Sequence, residues 1–206
     1  MTIQRGLPWG EAAGPLPPDA PLATSDRELT QIVARARAAG EPVPPIGLLG
    51  GDLWRTLGGL ADDRRIRSRE AMHLPIDLGV ATLEPSGEER LFSAHAVARS
   101  RGWRGPFAAA FNAEHLGAWK AAPRAHPNDG LLEVIQGELA LDQRLKARRR
   151  LPTGAHLPHP GLRVERRAAL TLSWARPRRL WVDGEAAGRV SGLRLRVEPD
   201  AFTVVV

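Results

Sequence analysis

From Met72 to Val206 short apolar runs recur about every ten residues, each closed by turn residues, a rhythm that favours strands over helices. Ile76, Leu78, Val80 and Thr82 alternate with more polar neighbours, Glu84-Pro85-Ser86-Gly87 turns the chain, and Leu91, Ser93, His95 and Val97 alternate back. Period two puts alternate side chains on one face, so these runs predict a β-hairpin. Further strands are expected at 107–112, 131–137, 162–167, 170–174, 179–183, 188–190, 193–197 and 202–206. One helix, 141–149, interrupts them. So many short strands indicate an antiparallel sandwich or barrel.

The preceding segment reads differently. Pro and Gly crowd residues 6–21 and leave no room for a helix, so the chain is expected to begin as an irregular arm over 1–22. Ser25-Asp26-Arg27-Glu28 is a capping box, the Ser25 hydroxyl taking the Glu28 amide while the Glu28 carboxylate reaches back. The helix it opens runs to about residue 39, with Leu29, Ile32, Val33 and Ala36 on one face and Gly40 as its stop. A buried strand over 43–49, the Gly50-Gly51 turn and a short helix capped by Asp52 complete the unit. The expected class is α+β: a shortened α/β segment over 1–70, then an antiparallel β-sandwich-like domain over 71–206.

Composition excludes some chemistry. The chain has no Cys, which removes disulfides, thiolate zinc sites and cysteine nucleophiles. The amino terminus lacks the apolar stretch of ~7–15 residues of a secretory signal, so a cytoplasmic location is expected. No apolar run approaches the roughly 20 residues of a membrane span, which confines any membrane contact to the periphery. The formal net charge is +6, and its distribution is uneven. Residues 1–137 carry 15 Lys+Arg against 16 Asp+Glu, whereas 138–206 carry 14 against 7. The densest cations are Arg144, Lys146, Arg148, Arg149 and Arg150 on the expected helix. Such a field concentrates nucleotide phosphates, anionic headgroups or nucleic acid, although an Arg-rich surface from compositional bias reads equally well. Groove-reading motifs are absent, which ranks nucleic acid last. Pro158 separates His156 from His159 and denies them a shared helix face, and the six Trp are scattered as core residues are.

Three stretches could carry chemistry. Gly50-Gly51-Asp52-Leu53-Trp54-Arg55 lets backbone amides at a helix start approach a phosphate, with Arg55 as a clamp, although any tight strand-to-helix turn uses the same residues. Pro123 to Glu133 contains Asn128-Asp129-Gly130, which is also an ordinary turn into a strand. Asp183-Gly184 is a strong hairpin signal, and Glu185 beside it makes a carboxylate pair that could accept a hydroxyl proton or hold a metal.

In this order the stretches resemble the diacylglycerol kinase family of bacterial lipid kinases, of the NAD kinase superfamily. The counterparts are Gly51 to Gly58, Asp77 in the hairpin, Pro123 to Glu133, Asp183-Gly184-Glu185, and Val197 to Phe202. The resemblance implies a nucleotide-binding remnant over 1–70 and a lipid-kinase β domain after it. It further implies ATP and Mg²⁺ as cofactors and a lipid-like or other hydroxyl-bearing small molecule as acceptor, with peripheral contact to an anionic membrane. Glu185 would be the catalytic base and Asp183 would orient the acceptor, with Asp129 in the metal-linked cluster and Gly50, Gly51, Asp52 and Arg55 around phosphate. The family's Gly-Gly-Asp-Gly-Thr loop is absent, and Leu48-Leu49 stand where it has Gly-Thr. Two readings follow: a divergent lipid kinase, or a non-catalytic relative that binds an anionic lipid, a metabolite or a protein. The apolar last strand, 202–206, is expected to be able to pair across a homodimer.

Overall fold

The computed structural model describes residues 3, 9–59 and 63–206, so most of the first ten residues of the expected arm lie outside the described residues. Strand β1 (Leu22–Ala23) leads into helix α1 (Asp26–Ala38), which starts where its capping box requires. Ser25 is extended and its hydroxyl accepts the Glu28 amide at 3.3 Å. The Glu28 carboxylate reaches one residue further back than expected, taking the amide and hydroxyl of Thr24 at 2.8 and 2.9 Å. Leu29 and Val33 face β2 (Ile46–Leu48), which runs parallel to β1, and the short helices α2 (Asp52–Thr56) and α3 (Asp63–Ile66) follow.

Strand β3 (His73–Glu84) turns back into β4 (Glu89–Phe92), in register from Gly79 opposite Phe92 to Thr82 opposite Glu89. The Phe92 ring lies on the Gly79 backbone, where any Cβ would overlap it. The expected returning strand then divides at Ser93-Ala94, and β5 (His95–Arg99) joins other partners. Strands β6 (Phe107–Phe111), β7 (His115–Leu116), β8 (Trp119–Lys120) and β9 (Leu132–Gly137) precede helix α4 (Leu141–Arg150). Strands β10 (Leu162–Arg167), β11 (Ala169–Val182) and β12 (Glu185–Val205) complete the chain.

The main sheet runs β1-β2-β12-β11-β5-β6-β9-β10, with β3 also on β12 and β4 on β3. Five of the expected strands merge into two, because bulges absorb the irregularities that read as turns. β11 shifts register between Ser173 and Arg178, and β12 does so between Glu198 and Phe202, where Asp200 takes φ 50°. The halves of this sheet enclose a core around Phe92, Leu132, Leu180 and Leu193. A second core packs α1 on β2 and β3, and a third lies on the outer face of β5, β6 and β9 under α4.

The end of β12 corrects one expectation. Phe202 to Val205 pair with Ile76 to His73 of β3 on one side, and Val204 and Val205 pair with Ile46 and Gly47 of β2 on the other. That edge is used within the chain, so it is not free to pair with a second copy.

Candidate functional site

The Asp183-Gly184 turn forms as its sequence demands. Val182 faces Glu185 across a two-residue loop, with φ 45° at Asp183 and 80° at Gly184, both left-handed as a tight hairpin of this twist requires. The turn delivers Asp183 inward, where its carboxylate takes five donors. These are the amides of Ser93, Ala94 and His95 at 2.8, 3.0 and 3.0 Å, the Ser93 hydroxyl at 3.2 Å and the Thr30 hydroxyl at 2.7 Å. Three consecutive amides turned toward one carboxylate cannot serve a ladder, which is why β4 and β5 separate at Ser93. Asp183 thus fastens the β4–β5 corner to α1. Glu185 is half-exposed and pairs with Arg27 of α1 at 3.1 Å.

The corner holds His95 in a ring of acids. One ligand atom from each of Asp26, Asp52 and His95 lies within 4.8 Å of the others. The His95 Nε2 is 3.0 Å from an Asp52 carboxylate oxygen, and the ring is buried edge-on to Phe111, 6.3 Å between centroids. Burial pulls the His95 pKa down, but the Asp52 bond and the charges of Asp183, Asp52 and Asp26 outweigh it and leave the value raised. For Asp52 burial acts upward, but the His95 ring, the Gly117 amide and the Arg55 charge hold it below the usual carboxylate value. Burial chiefly, with the Asp183 charge, lifts Asp26 from 3.8 to about 6.

Asp52 does not cap α2, as the sequence had suggested; Asp26 does. Its two oxygens take the Asp52 and Leu53 amides at 2.6 and 2.9 Å, while Gly51 at the N-cap has no side chain to offer. Asp52 is thereby released to His95 and to the Gly117 amide at 2.9 Å. Arg55 donates to the Gly117 carbonyl at 2.7 Å. Gly50 approaches the Thr24 carbonyl so closely that a Cβ has no room. Gly50, Gly51, Asp52 and Arg55 therefore lie together as expected, but the helix amides that would cradle a phosphate hold the Asp26 carboxylate.

Asp129 stands apart, in a knot with Asp77, Asn128 and Asp200. Its oxygens meet Arg166 and the Leu131 amide, the latter at 3.0 Å. Burial raises its pKa, and the Arg166 charge opposes that rise. Asp77 takes the Asp200 and Gly130 amides at 2.9 and 2.7 Å, fixing the 128–130 turn and the β12 bulge to β3. Asn112 joins the two regions, its amide donating to the carbonyls of Asp77 and Ser93, each at 2.9 Å.

Neither acidic group fits Mg²⁺, which asks for a near-octahedral set of oxygens, several of them water. The oxygens of Asp26 and Asp52 are committed to Asp52 and Leu53 amides, His95 and Gly117, and those of Asp129 to Arg166 and Leu131. At the Gly50-Gly51 turn the Asp52 and Leu53 amides are taken by Asp26, and one Arg55 nitrogen by the Gly117 carbonyl, which leaves fewer donors for the phosphates of ATP.

An apolar pocket of about 320 Å³ opens on the same face of the sheet as His95, within the range of ~300–1,000 Å³ for small-molecule sites. Phe107, Ala109 and Phe111 of β6 form its floor, Trp103 and Trp119 its sides, and α4 its lid. Phe111 is shared, touching His95 on one side and lining the pocket on the other. Leu116 of the β7–β8 hairpin lines the pocket too, one residue before the Gly117 that holds Asp52 and Arg55. Phe111 and Leu116 thus form the wall nearest the His95–Asp52 pair, which does not itself line the pocket. Asp26, His95 and this pocket escaped the sequence reading; the one available signal was a His at an inward position of an alternating strand.

Residues 83–206 match the family model of the YegS C-terminal NAD kinase beta sandwich-like domain. The chain belongs to that family. No curated protein matches the sequence. Among solved structures, one of a candidate diacylglycerol kinase from Bacillus anthracis str. Sterne superposes with a TM-score of 0.64 at 12% identity, covering 89% of this chain and 76% of that one. A second candidate diacylglycerol kinase from the same organism gives 0.57 at 13% identity, covering 79% and 69%. At such identities the likeness shows the fold. Among the described residues no helix is long and apolar enough to cross a membrane.

Proposed function

We propose that this lipid-kinase-like chain binds a lipid-like molecule without phosphorylating it, the apolar tail beneath α4 and the polar head at the His95–Asp52 end. The observation that carries the reading is the apolar pocket beneath α4, which shares the Phe111 ring with the buried pair. An apolar cavity ending at a few convergent polar groups is how small-molecule sites fix both affinity and orientation. The His95 ring would meet a hydroxyl or a headgroup oxygen, and apolar walls would exclude water from the tail. Occupation of the α2 amides by Asp26 supports binding without phosphoryl transfer.

A second reading, an active lipid kinase with Glu185 as base, draws on the family match and on the exposed Glu185 carboxylate at the start of β12. Incubation of the full chain with labelled ATP, Mg²⁺ and monoacylglycerol or diacylglycerol in mixed micelles separates the two. Saturable lipid binding with no labelled lipid product supports the first reading. Turnover that disappears in Glu185→Gln establishes the second.

A further inference from the structure

We propose that α4 is a docking helix that seats the mouth of the apolar pocket on an anionic bilayer surface. Leu141 and Leu145 are 64% and 54% exposed, large apolar side chains standing in solvent. Spaced by four on a helix, they lie side by side. Both also line the pocket, and so does Arg148 about one turn further on. The exposed leucines and the pocket rim are thus one surface, and whatever covers the first covers the second.

The adjoining flank of α4, which also faces the pocket, fastens it to the protein. Ala147 is buried, and Arg144 donates to the carbonyls of Gly102 and Trp103 at 3.0 and 3.2 Å. Around the leucines the charge is positive and largely uncompensated. Arg148, Arg149 and Arg150 have no carboxylate partner among the described residues, and Lys146 meets Asp142 only at 3.5 Å on an exposed surface. A basic helix with an apolar stripe lies in a membrane interface, the stripe entering the acyl boundary and the cations meeting anionic headgroups. A nucleic acid would satisfy the arginines and leave the leucines in water. An anionic bilayer satisfies both and presents lipid at the pocket mouth. The docking stands without the lipid-binding reading; only delivery of lipid into the pocket rests on it.

The test is sedimentation of the full chain with vesicles of phosphatidylcholine alone and of phosphatidylcholine with phosphatidylglycerol. Binding to the anionic vesicles is expected to be at least about tenfold tighter, and to weaken when salt is raised from about 0.05 to about 0.5 M. The double variants Leu141→Asp/Leu145→Asp and Arg149→Glu/Arg150→Glu, both on exposed positions, are expected to lose at least about tenfold with circular dichroism unchanged. Equal binding to both vesicle types, or full binding by the leucine variant, overturns the proposal. So does salt-sensitive binding of duplex DNA without vesicle binding, which would assign the face to nucleic acid. The two readings fail separately: Ala109→Phe, which narrows the pocket, is expected to lose micellar lipid and keep vesicle binding.

Discussion

The Asp26 carboxylate lies directly over Gly51, so close that a Cβ on residue 51 would stand 2.6 Å from its Oδ1. This proximity lets a residue of α1 cap α2, and it depends on the backbone of Gly51, whose φ of 103° other residues rarely adopt. Gly51→Ala is therefore expected to destabilise the fold by roughly 2–3 kcal/mol, combining backbone strain with a displaced cap. Urea unfolding measures it, and a loss below about 0.5 kcal/mol would show that the α2 cap is not shared in this way.

The two carboxylates of the Asp183-Gly184-Glu185 turn are expected to behave oppositely. Asp183→Ala strands three amides and the Thr30 hydroxyl, while the Ser93 hydroxyl keeps the Asp26 carbonyl, and is expected to cost roughly 3 kcal/mol or more. Glu185→Gln breaks only a half-exposed pair with Arg27 and is expected to stay within about 0.5 kcal/mol of the parent. Comparable losses in both would contradict the division of one positioning and one surface carboxylate.

The acid ring around His95 sets a pH dependence of definite sign. Asp26 has a folded pKa raised from 3.8 to about 6, so the folded state holds its proton longer than the unfolded chain does. Its contribution is complete below about 3.8 and is lost as pH rises through about 6, on the order of 2–3 kcal/mol. His95 is raised as well, so its contribution is complete below 6.5 and is lost as pH rises through its higher folded value. Asp52, which is lowered, contributes above 3.8 and loses that contribution only in stronger acid. Urea midpoints are thus expected to fall as pH rises from about 4 to about 6 and to fall further above pH 6.5, with that alkaline limb flattened in His95→Gln. An alkaline limb unchanged in that variant would remove His95 from the account.

Much of this architecture was legible in the chain. The capping box at Ser25, the basic helix at 141–150 and the Asp183-Gly184 hairpin form where local chemistry puts them, because each is decided within a few residues. The break between β4 and β5 was not legible, since it is imposed by Asp183, 90 residues away from Ser93. The same distance in sequence hid the site. Asp26 served the capping-box reading, and nothing local reveals that its carboxylate belongs to α2. The Phe202–Val205 end of β12 looked like a free edge for a similar reason, as its partners lie in β2 and β3.

The central claim, that the pocket beneath α4 holds a lipid tail, is tested most directly by its own tryptophans. Trp103 and Trp119 line the pocket, so a single-chain lipid brominated along its tail is expected to quench their fluorescence saturably. In Ala109→Phe, folded but with the floor raised, that quenching is expected to be lost. Quenching that does not saturate, or that is equal in the parent and the variant, would contradict the claim.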